Sequence, residues 1–413
     1  MIRLRRLPKK VNITSILEYL LMALILLYSS MWSVFASAQS NTFIRFAYPV
    51  LAVLLVVVLW VRMLPRQRVQ RLCLLAAVLA VYFLGTRYNL TRYLLYYAVP
   101  LLLLTLYMGI KDEQGKPFDL LYKLGDIVCA LTVFSLICFI FGTCLGVLPG
   151  GHTIEYFFAN DDRSCTTYFH LYYAAQTMLM FGRDFVRNCG IFAEAPGFAV
   201  FLVIALSTEM FLREKPRLWR CVVYYAAAIT TFSTKAILLV LLVLGLKYVI
   251  TRPGQVTAYR MKAVILPAGA LLLAAVAMVL LIDKQNTDSF FIRLDDLFAS
   301  AKAFATSPLF GTGYYNDQSI IDCFNYARPN EGLSMGVAVL LAQGGLFLLT
   351  FYILAMVGCV MRCPKAWRLR MASFFVTYFG LLFVSNMPFS FVAIFLLAFS
   401  MEAAHKPLPT GDT

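Results

Sequence analysis

The chain has 413 residues, 61% of them hydrophobic and 14% charged, with a mean hydropathy of +0.77. That much apolar surface excludes a water-soluble fold and points to an integral membrane protein. The formal charge of +15 does not point to nucleic acid, because the basic residues cluster at the ends of apolar runs, where they hold loops in the cytoplasm.

The runs are apolar on every side, so they are read as helices and not as the alternating strands of a barrel. Arg3, Arg5, Arg6, Lys9 and Lys10 precede the first run, which no cleavage site follows, so it is read as a retained helix with its amino terminus inside. Spans are expected at 15–36, 43–61, 69–85, 93–110, 124–148 and 196–212. The stretch Cys221 to Ile250 is too long for one ordinary span and is interrupted by Ser233, Thr234 and Lys235, so it is read as two short helices meeting outside. A span at 263–282 follows, and spans at 333–361, 371–385 and 388–401 complete the chain. The expectation is an all-α, polytopic membrane domain over 1–413 with about 12 spans, and about 10 as the lower count.

Two external connections, 149–195 and 283–332, are too long for simple connectors. Both are rich in aromatics, which fits either sugar stacking or the membrane interface. Cys165, Cys189 and Cys323 fall in these loops, where a Cys165–Cys189 bridge is one option and free thiols are the other. The acid pairs Asp161-Asp162 and Asp295-Asp296 fit solvated loops better than a metal site, so no metal or other cofactor is expected.

Three elements carry candidate chemistry. The first is Arg187-Asn-Cys-Gly190-Ile-Phe-Ala-Glu194-Ala-Pro196, which runs into the sixth span and holds a cation and a carboxylate at the outer edge. An ion pair anchoring a helix start is the alternative reading. The second is Thr230-Thr-Phe-Ser233-Thr234-Lys235, where a lysine this deep either faces an anion or snorkels to the interface. The third contains Arg293, then Ser307-Pro-Leu-Phe310-Gly311-Thr-Gly313-Tyr314, then Arg328 and Glu331. Gly311 and Gly313 suggest a backbone nest for an anion.

In order and spacing these elements resemble the Wzy-type bacterial polysaccharide polymerases of the O-antigen polymerase and ligase superfamily. The landmarks are Arg-x-x-Gly-x-x-x-Glu, Thr-x-x-Ser-x-Lys, and Ser-Pro-Leu-Phe-Gly-x-Gly before Ala342-Gln-Gly-Gly345. The resemblance implies a GT-C-like, metal-independent glycosyltransferase in the bacterial inner membrane. It would pass an undecaprenyl-pyrophosphate-linked glycan to another lipid-linked repeat unit on the outer face. Chain-length regulators and flippases are implied as partners.

On that reading Arg187 and Arg293 stabilise the pyrophosphate leaving group, and Glu194 or Glu331 is the general base. Lys235, Arg328, Gly311, Gly313 and Tyr314 would bind substrate. The ligase branch expects a histidine before the helix after the second loop, where this chain has Arg328-Pro-Asn-Glu331-Gly-Leu-Ser334. That departure favours polymerase over ligase. A flippase or other transporter is the rival from a different class, but it would spread its charges through the helices across the bilayer.

Overall fold

The computed structural model describes residues 13–29, 66–158, 161–180, 183–250, 288–325 and 332–403. The expected spans at 43–61 and 263–282 lie outside the described residues, as do Arg328, Glu331 and His405. In chain order the helices are α1 (Ile13–Ser29), α2 (Arg66–Thr86), α3 (Leu90–Glu113) and α4 (Asp119–Cys144), then α5 (Ala195–Leu212). They continue with α6 (Leu218–Thr230), α7 (Thr234–Ile250), α8 (Asp288–Thr306), α9 (Gln318–Ile321), α10 (Gly336–Arg362), α11 (Lys365–Val384) and α12 (Phe391–Glu402). Among the described residues six helices, α2 to α5, α10 and α11, are long and apolar enough to cross a membrane.

Helices apolar all round belong in an interior. Accordingly α5 and α12 form the centre, with every residue from Phe198 to Leu212 and from Phe391 to Ser400 buried. By contrast α2 is largely uncovered and turns Leu74, Val81 and Leu84 outward, as a lipid-facing helix does. The apolar stretch 221–250 does break where its polar residues fall. α6 stops at Thr230, Phe232 takes a positive φ of 47°, and α7 starts at Thr234. Lys247 Nζ then donates to the Met210 carbonyl at 2.8 Å, returning α7 to the end of the bundle from which α6 left.

Two expectations need correction. The region 149–195 is not a plain loop in an all-α protein, because it folds into two antiparallel sheets. β1 (Gly151–Phe158), β2 (Asp161–Tyr168) and β3 (Tyr172–Ala174) form one, and β4 (Thr177–Met180) and β5 (Arg183–Val186) the other. Its Tyr, Phe and Thr residues suit a half-buried pleated surface as well as an interface belt. Much of 283–332 is likewise ordered as α8 and α9. Cys165 and Cys189 are both buried and both free, so the bridge is not formed.

The helix ends separate into two groups. One end gathers Arg71 near Glu402 (3.8 Å), Arg362 Nη2 on the Ser400 carbonyl (3.0 Å) and the Arg213 guanidinium over Tyr122 (4.3 Å). The opposite end gathers the α2–α3 turn, the sheets, the α6–α7 break, residues 307–317 and the turn between α11 and α12.

Candidate functional site

At that opposite end the segment Arg187 to Glu194 is stitched into place by Asn188. Its Nδ2 donates to Thr230 Oγ1 at 3.0 Å, its backbone N–H to the Thr230 carbonyl at 3.0 Å, and its Oδ1 accepts from Gly190 N at 3.1 Å and from Ser135 Oγ. Gly190 has φ +59°, a conformation that favours glycine, and the Phe198 ring lies 3.2 Å from where a Cβ would stand, a tight contact. Glu194 then takes the N-cap position of α5, with Pro196 in the first turn.

The Arg187 guanidinium spans the α6–α7 break. Nε donates to the Thr231 carbonyl at 2.8 Å, Nη1 to Gln176 Oε1 at 2.9 Å and Nη2 to the Phe232 carbonyl at 3.5 Å. Every one of these partners is neutral, so the positive charge is held in place without being cancelled. Burial lowers the guanidinium pKa, opposed by Cys189 and Glu194. Burial also pushes the Cys189 thiol up to about 12, which leaves it inert beside the arginine.

Lys235, at the start of α7, donates from Nζ to Ser385 Oγ at 3.0 Å. Its ammonium is attracted by Glu194 and repelled by Arg293 and Arg187. Three residues singled out in the sequence, Arg187, Glu194 and Arg293, are thus within electrostatic reach of Lys235, and only Glu194 is an acid. Arg293 lies exposed on α8. Arg328 and Glu331 lie outside the described residues, but the ends of their segment are tied to α8. Asp295 accepts from Asn325 N at 3.3 Å, and Asp296 accepts from Ser334 N at 2.8 Å and from Ser334 Oγ. The adjacent acids are therefore loop anchors.

The proposed anion nest is corrected. The amides of Gly311, Thr312 and Gly313 donate to the carbonyls of Ser307 (2.8 Å), Ala342 (2.9 Å) and Gln343 (3.0 Å). In return Leu346 N and Phe347 N donate to Pro308 and Leu309, across a break in α10 where Gly345 has φ +63°. The two glycine motifs clasp each other, and none of these three amides is left for an anion. Tyr314 is also not a sugar platform, since it is buried against Tyr93, Tyr97 and Phe389 with its hydroxyl on the Tyr96 carbonyl at 3.2 Å.

Sequence reasoning missed Gln176, which also accepts from Ala195 N at 3.3 Å, and Ser385, which holds the lysine. It missed Arg92 and Asp317 as well, and took Gln343 only as part of a landmark. Arg92 carried a usable signal, as a further arginine on the external side of the expected topology. No protein-family model matches the chain and no curated protein matches it, so the family resemblance rests on the ordered motifs alone.

Proposed function

We propose that the chain is a polysaccharide polymerase of the bacterial inner membrane, joining undecaprenyl-pyrophosphate-linked repeat units on the outer face. The observation that carries this reading is a set of basic side chains at one end of the bundle whose hydrogen-bond partners are neutral. Arg187 and Lys235 are fixed by carbonyls, an amide and a hydroxyl, with Arg293 within electrostatic reach and Glu194 as the single acid among the four. Such a set suits a leaving group that gains negative charge as the glycosidic bond breaks, because fixed guanidinium and ammonium groups need no reorganisation at that moment. Arg187 and Arg293 would bind the donor pyrophosphate, with Lys235 beside them, and Glu194 is the nearest candidate base for the acceptor hydroxyl. Chain-length regulators and flippases are the expected partners.

The orientation follows from the basic connections Arg213 to Arg220 and Arg362 to Arg370, which the positive-inside rule keeps in the cytoplasm. The site end then faces outward, with the amino terminus inside. Reporter fusions at positions 67, 216 and 366 should report inside, and a fusion at position 310 outside.

The deciding experiment is deletion of the gene, followed by analysis of glycans on the lipid carrier and the cell surface. Loss of a polymerase leaves single repeat units. Long chains retained on the carrier would indicate a ligase, and unchanged glycans would end the glycosyltransferase reading altogether.

A further inference from the structure

The site end holds a second polar cluster built from parts the first does not use. The turn between α2 and α3 is pressed onto residues 310–317, with Phe310 occupying the space beside Gly85 and Tyr88 the space beside Gly313. This brings Arg92, on the first turn of α3, over the Tyr315 ring at 4.1 Å. Tyr315 has φ +59°, a left-handed conformation that is strained for a non-glycine residue. Two residues on, the Asp317 carboxylate accepts from Gln343 Nε2 at 2.7 Å, and Arg92 acts on it electrostatically without forming an ion pair with it. Gln343 is fully buried, and its Oε1 has no hydrogen-bond partner among the described residues. A buried acceptor left unmatched is costly unless a ligand supplies a donor.

The chemistry of this cluster differs from that around Arg187. There the fixed groups are cationic donors, which suits an anion. Here one guanidinium donor is balanced by a carboxylate and a glutamine oxygen, both acceptors, which disfavours a phosphate and suits hydroxyl groups that donate and accept at once. Stacking of Arg92 on Tyr315 covers the flat face of the guanidinium and leaves the in-plane N–H groups for a ligand. Burial raises the Asp317 carboxyl above its ordinary value, against the pull of Gln343 and Arg92, as expected for an acid that is not neutralised by a close cation. The wall between the clusters is the turn after α11. Ser385 Oγ holds Lys235, and four residues later Phe389 packs 5.0 Å from Tyr314, the neighbour of Tyr315.

We propose that Arg92, Asp317 and Gln343 form a neutral-sugar subsite that receives the glycan of the acceptor, separate from the cationic site for the donor pyrophosphate. Arg92 and Asp317 would contact the sugar, and Gln343 would position the Asp317 carboxylate. The inference rests on the polymerase reading for the identity of the sugar.

The test uses the full chain in lipid nanodiscs and the repeat-unit oligosaccharide released from the carrier by mild acid, with binding followed by calorimetry. Asp317→Asn and Arg92→Gln are each expected to weaken oligosaccharide binding at least tenfold and to leave binding of inorganic pyrophosphate unchanged. Arg187→Lys should show the reverse pattern. Should Asp317→Asn fail to accumulate, Arg92→Gln alone decides. Wild-type affinity for the oligosaccharide in Arg92→Gln, equal loss of both ligands, or no binding to the unaltered protein would each overturn the subsite. The polymerase reading fails separately, through unchanged glycans in the deletion strain.

Discussion

The two ends of the helix bundle treat charge in opposite ways. At one end Glu18 is buried between Lys111 (2.5 Å) and Lys123, Asp119 bonds the same two lysines at 2.5 and 2.9 Å, and the Tyr107 hydroxyl completes the group. Beside it Glu209 pairs with Arg213 at 2.7 Å and Asp126 with Arg220 at 2.5 Å. Each cation of these groups faces a carboxylate, so the network joins α1, α3, α4, α5 and α6, while Arg362 and Lys247 at the same end are held by carbonyls. At the other end Arg187 and Lys235 are held by neutral acceptors, with no carboxylate among their hydrogen-bond partners. A cation that the fold has matched with an acid is structural, whereas one positioned but not neutralised is available to an anionic substrate.

That contrast is easiest to break at the paired end. Glu18→Ala leaves two buried lysines short of a partner, which should cost about 3–5 kcal/mol and show as loss of folded protein from the membrane. If Glu18→Ala accumulates normally and only transfer suffers, the paired end is functional and the distinction collapses. At the site end the ordering is reversed. Arg187→Lys and Arg293→Lys keep the charge but lose the planar fork, so turnover should fall roughly a hundredfold or more with membrane abundance unchanged. Polymer length on gels, with abundance measured in parallel, reads both quantities. Normal polymerisation by both variants would remove these arginines from the pyrophosphate.

The glycine clasp provides a third, smaller effect. A Cβ on Gly311 would stand 2.3 Å from the Gln343 carbonyl carbon, at a φ of +73°. Gly311→Ala should therefore destabilise by about 1–3 kcal/mol, lowering the melting temperature with no change in pyrophosphate affinity. Loss of pyrophosphate binding at full stability would restore the anion nest. The smallest effect is the control, Arg163→Ala, which lies in the sheet region outside every matched motif and should polymerise like the unaltered protein.

The sequence revealed the helices better than the connections between them. Expected limits of 69–85 and 196–212 compare with Arg66–Thr86 and Ala195–Leu212, because an apolar run bounded by charges has few alternatives. The break at Ser233 was legible for the same reason, as polar residues inside an apolar stretch. The strands between Gly151 and Val186 were not, since Tyr, Phe and Thr serve a sheet and a membrane interface equally well. α8 was missed because Arg293, Asp295 and Asp296 look like a solvated loop until Asp296 is seen buried under Ser334. At the site, Arg187, Lys235 and Arg293 stood out in the sequence as basic residues on the external side of the expected topology. The acceptors that fix them did not, because Gln176 and Ser385 carry no charge. A Gly-x-Gly motif likewise does not reveal whether its amides face a phosphate or a carbonyl.

The break between α6 and α7 has an electrical consequence. The carbonyl end of a helix carries partial negative charge and the amide end partial positive charge, each equivalent to about half an elementary charge. At this break the carbonyl end of α6 and the amide end of α7 lie side by side, and alone their fields would largely cancel. Arg187 binds the carbonyls of Thr231 and Phe232, so it screens the negative terminus of α6. The hairpin tip thereby acts as an oriented dipole with its positive pole toward Lys235. An anion bound there would gain from that field without another charged side chain in the interior.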